Sequence, residues 1–489
     1  MEGGPTYLGS IPHPAVGIRV PEILLKGILN AFKERSTVGG LMLSFGRETA
    51  PEYVINAPPG KYEISMGHTG TSIKKYITMA AKRSKEEGVT VEIEGDHLTV
   101  TSSSAKAVKR ISGVEVKGRL SREEVRKSLK YIKDEIDEAL STGHINAFTI
   151  DTCDLIRYEV EELSESEIKE LFWMEFPGGE GRSIINRYAR KLFAFEGPTG
   201  KYFEVRFKEI DVMRAALKFK DSLEVGLKIY NYIKENLGKV FGLEIALDET
   251  PYLTEPKELL FYLDEWIRMG GHVNFVAPNI GFKKREDYKG DLSELEKRVE
   301  FLHSIASSRG ALLSIHSGSG SNPYSGKGPG TYDALLRATS GLLKYKISGV
   351  YMELVFLLMA SSPKGSKARK LYEEIFDRVR EYLVKECETE GPLASDVLRR
   401  QLRTYEEEIK KGLREERDPT SDFFRYYSFI ALNLRDGGRR YLRDSIVELY
   451  EEDGEFRDKV DREVKDLTLR LIDGLKFANN ISYLEYFKP

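Results

Sequence analysis

The chain has 489 residues, of which 75 are Lys or Arg and 78 are Asp or Glu, leaving a formal charge of −3. That balance excludes the single-sign field of a nucleic-acid or anionic-membrane binder, and the length implies one large domain with an appendage, or two domains. With only Cys153 and Cys387, no secretory apolar segment and no run of membrane-spanning length, a disulfide framework is excluded and the cytosol is the expected compartment.

Taken in chain order, short apolar runs predict strands over 41–45, 62–66, 89–93, 145–150, 243–247, 273–277, 312–315 and 350–355. Amphipathic stretches predict helices over 72–87, 121–140, 212–237, 256–269 and 331–343, the second opening on Ser121-Arg122-Glu123-Glu124. This alternation is that of an α/β fold with a largely parallel sheet, and about eight strands is the number of a TIM-type (β/α)8 barrel. Residues 46–60 hold three prolines and no helical period, so 41–45 is a candidate outlying strand, with a seven-stranded or irregular barrel as the variant. Residues 155–208 are too long for a connection and read as an insertion over one end of the barrel. Beyond 361 the chain is charged and helical, over 367–388, 393–414 and 454–477. The expected division is therefore a barrel over 1–360 and a helical appendage over 361–489. The run Phe423-Phe424-Arg425-Tyr426-Tyr427-Ser428-Phe429 is too aromatic for a coiled-coil seam and is expected to pack on the barrel or rim its site. Gln401 is the single glutamine; with scarce Cys and many Lys, Glu and Arg this suggests a heat-adapted source.

Strands of a parallel barrel are normally aliphatic on both faces. Here Thr90, Glu92, Glu94 and Asp96 oppose Val89, Val91 and Ile93, and Glu244 and Asp248 oppose Leu243, Ile245 and Leu247. In the same way Thr149 and Asp151 oppose Phe148 and Ile150, Ser314 and His316 oppose Leu313 and Ile315, and Glu63 and Ser65 oppose Tyr62 and Ile64. If the aliphatic faces meet the helices, the acids and His316 point into the barrel, where uncompensated charge is costly. A divalent metal would resolve that conflict. The expected ligands are the strand-end imidazoles His97 and His316 with the central carboxylate Glu244, a mixed N/O set suited to Zn, Mn, Co or Ni. Asp96, Asp151 and Asp248 are left for proton transfer or for orienting the ligands.

The remaining histidines separate by position. His272 and His144 begin their strands, at the barrel end associated with stability, His303 lies in a helix, and His13 has no supporting context. His68, in Gly67-His68-Thr69-Gly70-Thr71-Ser72 before a helix, is expected to touch substrate.

Three segments resemble the tagaturonate epimerase family, hexuronate epimerases that interconvert tagaturonate and fructuronate at C4. They are Ala246-Leu247-Asp248-Glu249-Thr250-Pro251 with Pro256-Lys257-Glu258-Leu259-Leu260, Ala277-Pro278-Asn279 with Asp287-Tyr288-Lys289-Gly290-Asp291, and Ser314-Ile315-His316-Ser317-Gly318-Ser319. Gly95-Asp96-His97 and Lys327-Gly328-Pro329-Gly330-Thr331 are weaker matches. Separately, Asp96-His97 and His316-Ser317-Gly318-Ser319-Gly320 are similar to the metal-binding segments of class II fructose-bisphosphate aldolases, in which the Asp-His pair supplies an acid/base and a zinc ligand.

Both resemblances imply metal-dependent cleavage and re-formation of C3–C4 in a ketose. Asp96 is the expected acid/base, with Asp151 or Asp248 across the site, while the Ser317, Gly318 and Ser319 amides, Asn279, Lys327 and Thr331 hold substrate oxygens. The loop Gly320-Ser321-Asn322-Pro323-Tyr324-Ser325 departs from the family pattern by lacking an acidic and a basic residue for a uronate carboxylate. A neutral ketohexose such as tagatose or fructose is thus an alternative to the ketohexuronate, unless Lys327 or Arg285 replaces the missing cation. The other readings are a class II aldolase and a non-catalytic sugar-binding protein. The expected partner is a small-molecule ketose or ketohexuronate, with further copies of the same chain at most beside it.

Overall fold

The computed structural model describes residues 3–58, 61–62, 69–102 and 120–486. Its strands are β1 (Gly4–Pro5), β2 (His13–Gly17), β3 (Gly39–Ser44), β4 (Thr90–Thr99), β5 (Ala147–Asp151), β6 (Leu192–Glu196), β7 (Tyr202–Arg206), β8 (Gly242–Leu247), β9 (Phe275–Pro278), β10 (Leu312–Ile315) and β11 (Leu343–Ile347). Eight of them, β2, β3, β4, β5, β8, β9, β10 and β11, pair in parallel in that order, and β11 returns to β2, so the sheet closes into a (β/α)8 barrel. β1 extends the sheet at the start of β4, and β6 pairs with β7 as an antiparallel hairpin within the insertion.

The helical layer forms where caps and apolar stripes direct it. Ser121 accepts the Glu124 N–H while Glu124 reaches back to the Ser121 N–H, a capping box that starts helix Arg122–Ser141. Ser72, Asp291, Ser366 and Asp453 cap helices Ile73–Glu87, Leu292–Ser307, Lys367–Glu388 and Gly454–Gly474 in the simpler way. Helix Gly454–Gly474 packs along helix Pro21–Glu34, and Gly27 permits it: a Cβ there would lie 2.7 Å from Val464 Cγ1 and 2.8 Å from the Asp461 carbonyl. No described helix is long and apolar enough to cross a membrane.

Three expectations change. Residues 350–355 are not a strand but the start of helix Val350–Ala360, because an apolar run without period suits a buried helix as well as a strand. The last barrel strand is β11, whose Lys344 and Lys346 disguise it as surface. The 41–45 run lies within the barrel, with β3 paired to both β2 and β4, and His13 sits in the barrel strand β2 rather than in a loose terminus. Apart from Tyr62, the strand expected over 62–66 falls outside the described residues.

The alternation argument places the acids correctly. Val91, Ile93, Leu243 and Ile245 belong to the apolar core, while Glu92, Glu94 and Glu244 are buried with them at 1% exposure or less. Their compensation, however, is supplied by the chain itself. Lys346 Nζ lies 2.5 Å from Glu94 Oε1, 2.7 Å from Asp96 Oδ1 and 2.9 Å from Glu244 Oε1, and Lys344 Nζ lies 2.7 Å from Glu94 Oε2 and 3.0 Å from Glu244 Oε2. At the deeper end burial pushes the Glu92 carboxyl up to about 7 and, with Lys344, pulls the His13 imidazole down to about 3. The barrel interior is therefore an ion-paired core of the protein's own making.

Candidate active site

At the carboxyl ends of β4, β5, β8 and β10 the buried charges open onto the barrel mouth, the end at which (β/α)8 barrels place their chemistry. Adjacent strand residues should point to opposite faces, yet Asp96 and His97 both serve this mouth. The pairing of β4 with β5 shifts register between Gly95 and Leu98, and His97 takes φ 51°, so a bulge turns the imidazole back beside Asp96. After β10, Ser317 at φ 54° likewise turns the chain sharply next to His316.

The two imidazoles face each other with ring centroids 5.0 Å apart. His316 Nδ1 lies 3.1 Å from Asp248 Oδ1, and its Nε2 is 2.5 Å from Glu244 Oε1. Burial pulls the His316 imidazole down, but Asp248 and then Glu244 outweigh it and push the group up to about 10. His97 Nδ1 is 3.1 Å from Asp151 Oδ2, while its Nε2 points toward Asp96 Oδ2 at 4.0 Å. Ligand atoms of His97, Asp248 and His316 lie within 4.8 Å of one another, and so do those of His97, Asp151 and Glu249.

Those two groups differ in what is already engaged. Asp151 Oδ1 accepts the Cys153 N–H, and its Oδ2 meets His97, Arg47 at 3.0 Å and Thr99 at 3.4 Å. Against the upward pull of burial, the hydrogen bond with His97 and the charge of Arg47 hold the Asp151 carboxyl at about 2. Glu249 is clamped by both Arg47 nitrogens at 2.6 and 2.8 Å and by Lys284 at 2.9 Å. By contrast Asp248 Oδ1 is buried with only His316 Nδ1 beside it, at 3.1 Å. Two imidazoles converging on a carboxylate that no arginine or lysine clamps make a donor set that fits a transition-metal cation.

Glu244, expected as the carboxylate ligand, is next to His316 but one step deeper and tied to Lys344 and Lys346; four residues on, Asp248 takes the place beside both imidazoles. Asp96 stands at the rim, its Oδ2 accepting from Ser44 Oγ at 2.8 Å. Burial raises its carboxyl, but Lys346, His97 and His316 hold it well below the usual range.

Of the residues expected to hold substrate, Lys327, Thr331 and Asn279 are engaged with loop backbone. Lys327 Nζ donates to the carbonyls of Ser317 at 2.6 Å, Ser319 at 3.1 Å and Lys283, and Thr331 Oγ1 donates to the Lys327 carbonyl at 3.1 Å. Asn279 Nδ2 donates to the Thr250 carbonyl at 2.9 Å and its Oδ1 accepts the Gly281 N–H. Gly318 is held under Tyr345, whose ring carbon would lie 2.4 Å from an added Cβ. His68 lies outside the described residues.

Arg47, Glu249, Lys344 and Lys346 were not singled out by the sequence. Glu249 adjoins Asp248, and Leu343-Lys344-Tyr345-Lys346-Ile347 carries the same period of two as the acidic strands, so both signals were present. Arg47 had none, lying in the proline-containing segment after β3.

A family model described as tagaturonate epimerase matches residues 128–465. Among solved structures, the two-glycerol complex of fructuronate-tagaturonate epimerase from Cohnella laeviribosi is 19% identical with a TM-score of 0.66, covering 96% of this chain and 83% of that one. The native form of the same enzyme is 20% identical with a TM-score of 0.57, covering 99% and 83%. No curated protein matches the chain.

Proposed function

The chain belongs to the tagaturonate epimerase family and is a carbohydrate epimerase, and from that premise we propose that it inverts C4 of a ketohexuronate or ketohexose by breaking and remaking C3–C4 at a divalent cation held by His97, Asp248 and His316. The observation that carries this reading is the convergence of two imidazoles and the Asp248 carboxylate, their ligand atoms within 4.8 Å of one another, at the barrel mouth. A bound Zn, Mn, Co or Ni ion supplies Lewis acidity toward the ketone oxygen.

The hydrogen on C4 is not α to the C2 carbonyl, so enolisation alone does not reach it. Cleavage of C3–C4 sends the bonding pair into an enediolate over C2 and C3, the C4 hydroxyl gives its proton to a carboxylate, and C4 becomes an aldehyde. Rotation of that aldehyde and re-addition on its other face, with return of the proton, gives the epimer. In this reading Asp96 takes the proton, supported by its position at the mouth and by Lys346, which keeps it ionised. Asp151, saturated by four partners, fixes the tautomer and orientation of His97 instead. Glu249 and Arg47 buttress it in turn.

Incubation with tagaturonate, fructuronate, tagatose and fructose, before and after chelation and with metal restored, tests the reading. Interconversion of C4 epimers at constant mass, lost on chelation and regained with metal, is expected; full turnover by metal-free protein overturns the cation's part, and release of triose fragments as products favours an aldolase. An Asp96→Asn variant is expected to lose roughly 10²- to 10⁴-fold in kcat while binding the cation within a few-fold of the parent, measured by equilibrium dialysis.

A further inference from the structure

Arg285, in the loop after β9, takes no part in the chemistry above. It is 7% exposed, its Nη1 is buried without a hydrogen-bond partner, and among the described residues no carboxylate lies within ion-pair range of it. The charges that act on it are Glu353, then Arg19, two residues beyond β2, and Arg425 of helix Asp422–Tyr427, which donates to the Arg285 carbonyl at 3.4 Å. The acids nearby already have partners, since Arg19 binds Glu48 and Arg425 pairs with Glu353 at 2.7 Å. Three guanidiniums thus face two carboxylates, and one positive charge is left over. Burial, with Arg19 and Arg425 beside it, outweighs the Glu353 carboxylate and lowers the Arg285 guanidinium to about 10, so it stays charged at neutral pH.

The arginine is held in place rather than loose. Its guanidinium lies 5.5 Å over the Tyr426 ring, whose hydroxyl donates to the neighbouring Lys284 carbonyl at 3.1 Å. Opposite it, Gly349 presents bare backbone: a Cβ there would lie 2.9 Å from Arg285 Nη2 and 3.5 Å from Arg19 Nη2. Gly349 is also the N-cap of helix Val350–Ala360, whose positive end adds to the field of the two guanidiniums. A buried guanidinium whose nearby carboxylate is already paired with another arginine is strongly unfavourable unless an anion completes it.

We propose that Arg285 and Arg19, over Gly349 and the start of helix Val350–Ala360, form the subsite for an anionic group at the end of the substrate remote from the ketone, a carboxylate or a phosphate. The anion's being part of the substrate rests on the epimerase reading; the anion site itself does not. The segments after β2, β9 and β11 that build it share the barrel end of His97, Asp248 and His316. Contacts also join the two: Glu48, bound by Arg19, accepts the Ser44 N–H at 3.3 Å, and Ser44 Oγ donates to Asp96. A cation here does what the uncharged stretch Gly320 to Ser325 does not.

Inorganic phosphate and glucuronate, each compared with chloride at equal ionic strength, are expected to raise the thermal midpoint of the parent protein by roughly 2 °C or more and to leave Arg285→Gln unmoved. The kcat/KM ratio of tagaturonate over tagatose is expected to fall roughly 10²-fold in Arg285→Gln and to recover in part in Arg285→Lys. Gly349→Ala, which closes the cradle and keeps the charges, is expected to lower the same ratio should Arg285→Gln not fold. Preference of the parent for a ketohexuronate supports the carboxylate source, and preference for a ketohexose phosphate supports the phosphate source. Equal midpoint shifts in parent and Arg285→Gln, or an unchanged ratio, overturn the subsite. Failure to epimerise any of these sugars, with the Arg285-dependent midpoint shift intact, overturns the epimerase reading and leaves the anion site standing.

Discussion

A His316→Ala variant is expected to lose at least roughly a thousandfold in kcat/KM, the equivalent of about 4 kcal/mol of transition-state stabilisation. The imidazole is placed between two carboxylates, with Asp248 on its Nδ1 side and Glu244 on its Nε2 side, so its removal takes one donor from the proposed cation and leaves both acids facing a void. Cation affinity should fall together with turnover, read by titration calorimetry on metal-stripped protein. The contrast with Asp96→Asn separates the two roles, since one variant loses the cation and the other retains it. Unchanged cation binding in His316→Ala would remove His316 from the proposed ligand set.

Lys346→Met is expected to destabilise the fold by about 3–5 kcal/mol, because it strips the partner from buried charges. Lys346 Nζ is within 3 Å of Glu94, Asp96 and Glu244 and donates to Thr149 Oγ1 at 2.8 Å, and all of these side chains are 6% exposed or less or wholly buried. Lys344 remains for Glu94 and Glu244 but has no contact with Asp96. Chemical denaturation measures the loss, and adding Glu94→Gln to Lys346→Met should restore part of it, since the double variant buries one fewer unpaired charge. A Lys346→Met protein as stable as the parent would mean that the interior acids are held by something other than these lysines.

The interior charges also show how far patterning reaches. A period of two in β4, β5, β8 and β10 placed the acids and His316 on the inner face, and that is where they lie. Taken alone, the same pattern asks for a divalent cation throughout, because the two lysines that neutralise the deeper acids stand on β11, a strand that is not among those the sequence predicts. Helix Val350–Ala360 was mistaken for that strand since its apolar residues lack a helical period, being buried nearly all round.

Local chemistry carried much else. The Ser121-Glu124 start and the amphipathic stripes sufficed for helices such as Ile73–Glu87, Arg122–Ser141 and Lys367–Glu388, whereas Pro21–Glu34 and Leu292–Ser307 were not among those expected. The motifs around Asp248 and His316 sufficed for the resemblance to the family to which the chain belongs. What the sequence by itself determined was therefore the barrel class, the inner face of its strands and the two imidazoles as a pair worth joining. Only the tertiary structure decided which carboxylate stands with them. Glu244 and Asp248 share one face and differ by four residues, so periodicity ranks them equally; depth along the barrel axis, set by the register of β8 against β5 and β9, puts Glu244 among the lysines and Asp248 at the mouth. The bulge at His97 and the partnerless Arg285 belong to the same class of fact. Compensation of charge depends on distances across strands and loops far apart in the chain, and no local pattern encodes those distances.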